Sequence, residues 1–270
     1  MTKVRPPAVA GLFYPADPTK LRQLVEQLLA AAAPKERSSG GERLRALVVP
    51  HAGYVYSGPV AAAGFARLQG LGAQIQRVVL IGPAHWVALR GVAVSSARAF
   101  QTPLGQVAVD TDASNRVAAQ PRCRYHDTAH TPEHSLEVQL PFLQVLLADF
   151  CLVPLLVGEA RPGDVAQIIA RFWADSKTLV VVSTDLSHYH DYETARRLDT
   201  ATTAAIEGLC PEAVTDRQAC GHIALRGLLL AARRQGLRAR TLDVRNSGDL
   251  TGDRRRVVGY GAYSFYDPVA

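Results

Sequence analysis

Three short apolar runs in this chain each end on a residue that can bind metal or carry a proton. In LVVPHAGYVYSG the run Leu47–Val49 passes through Pro50 into His51. RVVLIGPAH carries Val78–Ile81 into His85, and TLVVVSTDLSH carries Leu179–Ser183 into Asp185 and His188. Runs this short, without polar alternation, read as strands buried on both faces, and such strands belong to parallel sheets with a helical layer on each side. Helical stretches separate them in the sequence. The expected fold is therefore α/β: a single domain over residues 1–270, with a largely parallel sheet covered by helices on both faces. Ligands of such sheets bind outside the carboxyl ends of the strands. His51, His85, Asp185 and His188 are thus expected along one edge.

The remaining elements follow from the same patterns. Asp17 ahead of Pro18 opens a helix with Leu21, Leu24, Val25, Leu28 and Leu29 on one face. Leu44–Val49, Leu152–Val157, Arg240–Val244 and Val257–Phe265 read as further strands or strand extensions. Helices are expected over about Pro59–Leu68, Thr111–Ala119, Gly163–Ala174, Glu193–Ile206 and Ile223–Arg234, and a β excursion over Val92–Val109 around the turn TPLG. EHSLEVQLPFLQVLL reads as one amphipathic helix kinked at Pro141, with Glu133, His134 and Glu137 in its first turn. Gly53–Gly58 reads as a tight turn into the next helix. The linker-like PKERSSGGE, Pro34–Glu42, is too short to divide domains.

Composition narrows the function classes. Hydrophobic residues make up 48% and charged residues 20%, and no apolar run approaches the ~20 residues of a membrane span. The N-terminal MTKVRPPAVAGLFYP has no signal-type apolar core, so a cytoplasmic protein is expected, with no membrane partner. The net charge of +6 is scattered, densest at Arg254–Arg256, without the aromatic-interleaved basic stripe of nucleic-acid binders. No nucleic-acid partner is expected. Cys123, Cys151, Cys210 and Cys220 include no CxxC pair and read as reduced thiols. No phosphate-binding loop, dinucleotide fingerprint or G-x-S-x-G elbow is present.

Metal chemistry is what the strand-end residues share. His51 and His85 are the first two candidate ligands, since neutral imidazole is the commonest protein ligand. Asp185 as third ligand gives a 2-His-1-carboxylate set suited to non-haem Fe(II). Cys220, in ACGHIALRGLLLAARR just ahead of a helix, gives a soft thiolate instead, and a helix N-terminus favours that thiolate. The residues alone leave both open. His134 and His188 are candidate proton carriers, His126 and His130 read as surface residues, and Tyr54, Tyr56, Trp86 and Tyr189 as an aromatic mouth.

AGLFYPAD, PHAGYVYSG, LIGPAHW, TPLG, EHSLEVQLPFL, VPLLVG, VVSTDLSHY, ACGH and VVGYGAYSF together resemble the Memo (mediator of cell motility) family, whose bacterial and archaeal members are called AmmeMemoRadiSam system protein B. The resemblance implies a fold like that of class III extradiol dioxygenases. It implies a metal site of His51, His85 and Cys220, with Asp185, His188 and His134 beside it as candidate catalytic residues. It implies Fe(II) or Cu, with Zn as a further metal this donor set accepts. A functional link to a radical-SAM protein and an AMMECR1-like protein is implied by the system's name. The chain departs from the family pattern after CG, where His222 stands in a usual non-ligand position and the family's proline is missing; His222 becomes a candidate extra ligand. Two functions follow as expectations. One is an iron- or copper-dependent redox protein acting on a small molecule, without catechol ring cleavage because a thiolate replaces the carboxylate. The other is a non-enzymatic module holding an anionic or phosphorylated peptide in the same cleft.

Overall fold

The structure is a computed structural model that describes residues 3–33 and 42–268. The expected linker segment Pro34–Gly41 lies outside the described residues. The strands are β1 (Val4–Arg5), β2 (Leu44–Val49), β3 (Arg77–Pro83), β4 (Val92–Val94), β5 (Ala99–Thr102), β6 (Gly105–Ala108), β7 (Cys123–Tyr125), β8 (Cys151–Val157), β9 (Thr178–Ser183), β10 (His188–His190), β11 (Arg238–Asn246) and β12 (Val257–Tyr266). The helices are α1 (Pro18–Ala31), α2 (Tyr54–Phe65), α3 (Thr111–Ala118), α4 (Asp127–His130), α5 (Leu140–Leu146), α6 (Pro162–Phe172), α7 (Tyr192–Glu207), α8 (His222–Arg234) and α9 (Ser247–Thr251).

The main sheet has the order β10-β12-β2-β9-β3-β8-β4-β7, with β11 also paired to β12. Its centre, β2-β9-β3-β8, is parallel, and the expected α/β architecture holds there. The flanks are mixed. β12 runs antiparallel to β2, β11 and β10, and β4 antiparallel to β8. A small second sheet joins β1, β5 and β6, with Pro103-Leu104 at the tip of the β5–β6 hairpin.

Strand alternation explains the layers. Leu47, Val49, Val78, Leu80, Leu179 and Val181 point to one core with α1, α2 and α5. Ala46, Val48, Val79, Ile81, Val180 and Val182 point to the other, with α3, α6 and α8. Each central strand is thus buried on both faces, as its unbroken apolar run requires. Gly64 of α2 lets that helix lie on β2, because a Cβ there would sit 2.6 Å from Val49 Cγ1.

Two helices differ from expectation. α2 starts at Tyr54, so Gly53–Gly58 is a helix N-cap and first turns rather than a separate tight turn, and Pro59 lies inside the helix. The lost backbone hydrogen bond is tolerated where Val60, Ala61, Ala62 and Phe65 bury the same helix in the core. The Glu133–Leu147 stretch is not one kinked helix. Glu133–Leu136 is non-helical, Glu137–Gln139 forms a 3-10 turn, and Pro141 sits in the first turn of α5, where a missing N–H costs nothing.

Glu137 shows why the helix gives way. Its fully buried carboxylate accepts from Arg5 Nη1 (2.7 Å), Ala8 N (2.7 Å), Val9 N (3.0 Å) and Tyr14 Oη (2.5 Å). These bonds pin the N-terminal AGLFYP loop under the sheet edge, where the Phe13 carbonyl accepts from Tyr54 N.

His130 is also not on the surface. It is 2% exposed, packs against Phe100 and has Nε2 3.2 Å from the Ala93 carbonyl. Burial, outweighing that bond, lowers its pKa from 6.5 to about 4. The unfolded chain therefore binds a proton that the folded chain refuses between these values. Stability from this residue is complete above pH 6.5 and falls as pH drops towards 4, by about 3 kcal/mol. Urea unfolding measured at pH 7 and pH 4.5 should show a smaller acid loss in His130→Phe than in the parent; an equal loss contradicts this account.

Candidate metal centre

The parallel strands deliver the site. β2 ends into Pro50 and His51, β3 into Ala84 and His85, and β9 into Thr184 and Asp185; β9 lies between the other two. Val49 and Ser183 are register partners in the β2–β9 ladder, which places the Ser183 hydroxyl beside the His51 ring.

That hydroxyl decides the tautomer of His51. Ser183 Oγ donates its one proton to the Ser135 carbonyl (2.6 Å). It therefore only accepts from His51 Nδ1 (2.9 Å) and from Gln139 Nε2 (2.9 Å). Gln139 Nε2 is held in turn by the Pro50 carbonyl (2.9 Å). His51 thus carries its proton on Nδ1 and has a bare Nε2. The ring is 2% exposed, and burial, followed by the neighbouring His85 and His134, holds it well below the ordinary imidazole pKa.

His85 is fixed in the same sense by Glu133. The carboxylate accepts from His85 Nδ1 (2.9 Å), His85 N (2.6 Å) and Ser135 N (2.9 Å). Burial alone would raise the Glu133 pKa, but the His85 ring and backbone outweigh it and bring it to about 2. A carboxylate on Nδ1 leaves Nε2 free, which is the outer-shell arrangement that orients histidine ligands.

His134 closes the group. Donor atoms of His51, His85 and His134 all lie within 4.8 Å of one another. The His85 and His134 rings stack at 4.8 Å, and Phe13 packs 4.8 Å from the His134 ring. His134 Nδ1 is buried and 3.3 Å from Glu133 Oε1, yet it makes no hydrogen bond there. Burial lowers its pKa, with Glu133 opposing.

The other expected residues surround this triad. Cys220 stands outside it and meets it at His51, with Sγ 3.3 Å from Nε2. Since Nε2 is bare, the thiol donates to it. Cys220 precedes Gly221, the N-cap of α8, as expected. Its expected acidity is not found. Burial, then Asp185, pushes the thiol up to about 12, and these outweigh the helix end. Asp185 accepts from His51 N (2.7 Å), with Oδ2 4.0 Å from His51 Nε2, and burial raises its pKa despite that bond. His188 lies on β10 with Nδ1 donating to the Leu186 carbonyl (2.8 Å). His222 opens α8 and is not in the triad; its Nδ1 is buried without a partner. Of the aromatic mouth, Tyr56, Trp86 and Tyr189 are exposed. Tyr54 is buried, donates to the Val138 carbonyl (2.6 Å) and packs on Phe142, so it lines the core instead.

Clustered imidazoles, with His51 Nε2 bare, an unsatisfied His134 Nδ1 and an adjacent thiol, fit a borderline or soft transition metal rather than Mg or Ca. Sequence reading missed Ser183, Gln139 and Glu133 as the residues that orient His51 and His85. The usable signal was register: Ser183 ends the strand beside the one that delivers His51.

A family profile described as Memo-like protein matches residues 5–264. Curated proteins described as MEMO1 family protein are similar along the whole length. One from Aeropyrum pernix is 37% identical, covering 96% of this chain and 99% of its own. One from Aquifex aeolicus is 36% identical over 96% and 97%, and one from Thermotoga maritima 37% over 95% and 97%. The crystal structure of an uncharacterized protein from Escherichia coli K12 superposes with a TM-score of 0.50 at 15% identity, covering 82% of this chain and 99% of that one, and shares the fold.

The tautomer is directly measurable. Long-range ¹H–¹⁵N spectra of metal-free protein should show His51 protonated on Nδ1 and unprotonated on Nε2 at pH 7. Ser183→Ala should erase that preference. A parent spectrum with the proton on Nε2 would contradict the assignment.

Proposed function

The chain belongs to the Memo family, and from that premise we propose that its strand-edge cleft holds one redox-active ion, iron or copper, in a protein that carries out oxidation–reduction on a small molecule. The observation that carries this reading is the set of three histidine donors within 4.8 Å of one another, two of them with Nδ1 held by a hydrogen bond. His51 and His85 supply the first two ligands in this proposal. His134 is the third donor of the triad. Cys220 joins as the thiolate ligand, because its Sγ already lies 3.3 Å from His51 Nε2, close to the spacing of two ligands on one ion of roughly 2.0–2.3 Å bond lengths. A bound iron or copper would supply one-electron chemistry, and the thiolate favours that over selective binding of a catecholate. Catechol ring cleavage is accordingly not proposed.

The chain's own groups have assignable tasks. At rest the Cys220 thiol proton sits against His51 Nε2, so ligation by Cys220 releases a proton to the cleft. His188, with Nδ1 committed to the Leu186 carbonyl, has Nε2 left to accept a proton from a molecule bound nearby. Asp185 holds the His51 backbone in place. Phe13, packed on the His134 ring, excludes water from one side. The link to a radical-SAM protein and an AMMECR1-like protein is proposed on the family resemblance, and cytoplasmic residence on the residue pattern; no helix among the described residues is long and apolar enough to cross a membrane.

Protein purified anaerobically without a histidine tag should contain close to one iron or copper per chain by elemental analysis. His51→Ala combined with His85→Ala should remove it while the far-UV circular dichroism stays as in the parent. Metal content unchanged in that double variant would rule out the site. A cleft that arrives without metal and binds a phosphorylated peptide would favour the binding-module reading instead.

A further inference from the structure

The segment that leaves β9 carries Asp185 and leads into His188, and it is supported from outside the cleft. Asp199, on α7, is 3% exposed, and its Oδ1 accepts from Ser187 N at 3.0 Å. The two arginines that share its surroundings are paired with other carboxylates, Arg196 with Glu193 and Arg245 with Asp243. A carboxylate buried without a cation is costly, and the Ser187 N–H is the hydrogen bond it makes.

Space for that carboxylate is made on β12. A Cβ at Gly259 would stand 2.1 Å from Asp199 Oδ2, so glycine is what lets the carboxylate lie there. Gly259 also ties the same segment, with its N–H donating to the Ser187 carbonyl and its carbonyl accepting from Leu186 N, both at 2.8 Å. Ser187 is thus held by α7 through its N–H and by β12 through its carbonyl. The backbone here needs such holds. Tyr189 has a φ of +61°, a left-handed conformation that an aromatic residue adopts at a cost, and the β10–β12 register shifts at this point. Its side chain is exposed, so burial of the ring does not enforce that conformation. His188 stands between Ser187 and Tyr189, and its Nδ1 donates to the Leu186 carbonyl at 2.8 Å. The backbone of this turn therefore sets the orientation of the ring.

We propose that Asp199 is the positioning residue of His188: by fixing the Ser187 N–H, its carboxylate holds the turn in the shape that keeps His188 Nδ1 on the Leu186 carbonyl and Nε2 unprotonated. That His188 then accepts a proton from a bound molecule rests on the functional reading above; the hold on its ring does not.

Charge makes the hold sensitive to pH. Burial raises the Asp199 pKa to about 6, with the Ser187 N–H and His190 opposing. Above that value the carboxylate accepts as an anion, and below it the neutral carboxyl accepts more weakly. The ionisable groups facing it are His190 on β10, Tyr263 on β12, Arg245 on β11, Asp249 on α9, and Tyr192 and Arg196 on its own helix. Histidine side chains ordinarily titrate in the same range, so the test reads the Asp199 carboxyl itself.

Metal-free full-length protein is titrated between about pH 5 and 8, with the Asp199 carboxyl carbon, the Ser187 amide and the His188 ring nitrogens followed by NMR. The carboxyl carbon and the Ser187 amide should titrate together near pH 6, and above that pH His188 should carry its proton on Nδ1. Asp199→Asn keeps an acceptor oxygen without the charge; it should remove the step in the Ser187 amide and leave the His188 Nδ1 proton in place. Asp199→Ala should erase the Nδ1 preference and speed Ser187 amide exchange about tenfold, the equivalent of one charge-assisted hydrogen bond. Exchange at Val181 in β9 should stay as in the parent, which a general loss of stability would not allow. A carboxyl titration that leaves the Ser187 amide unmoved, a Ser187 step undiminished in Asp199→Asn, or a His188 tautomer indifferent to Asp199→Ala would each overturn the proposal. If the alanine variant does not fold, the parent and asparagine titrations decide. Metal content of the native protein separates the two readings: a responsive turn without native metal defeats only the metal reading, and native metal with an unresponsive turn defeats only the role of Asp199.

Discussion

The Ser183 hydroxyl has a single proton, and everything at the strand edge depends on where it goes. Because the Ser135 carbonyl takes it, His51 must donate through Nδ1 and present Nε2 to the cleft. Glu133 imposes the same orientation on His85 through a carboxylate that can only accept. The bare Nε2 of the buried His51 is costly to leave unpaired, and the Cys220 thiol meets it; the buried His134 Nδ1 has no partner among the described residues. Such a cluster is compatible with an electron-pair acceptor such as a metal ion. A phosphate, which offers lone pairs of its own, gains little from these nitrogens while they remain neutral.

The sheet supplies the rigidity that this arrangement needs. His51, His85 and Asp185 each follow a strand buried on both faces, so their backbones are set by two packed cores rather than by loops. The third histidine has a different origin. His134 comes from an irregular segment held by two buried carboxylates: Glu133 faces His85, and Glu137, four residues on, faces the N-terminal loop that brings Phe13 onto the His134 ring. A continuous helix would have aimed both carboxylates along one face and could not have served both. On the opposite flank, the turn into α8 sets Cys220 against His51.

Much of this was legible in the residues alone. The central strands, α1, α3 and the helices of the second layer stood out because apolar runs and periodic leucines reflect burial directly. His51, His85 and Asp185 were legible as strand-end residues, and Cys220 as the residue before a helix. Other features depend on contacts that no local pattern encodes. Pro59 reads as a helix start, yet α2 begins at Tyr54 because the Phe13 carbonyl, distant in sequence, receives its first N–H. His130 reads as a surface histidine beside Pro132, yet it is buried against Phe100. Cys220 reads as an activated thiol at a helix end, yet its burial beside Asp185 keeps the proton on sulfur. Ser183 reads as the last residue of a strand, and only its register with Val49 reveals its control over His51.

X-ray absorption at the metal edge of the native, metal-loaded protein tests the central claim most directly. The account predicts imidazole nitrogen scatterers at about 2.0–2.1 Å, with the outer-shell pattern of ordered histidine rings, and one sulfur at about 2.3 Å that disappears in Cys220→Ser. A shell of oxygen scatterers alone, without imidazole or sulfur, would contradict it.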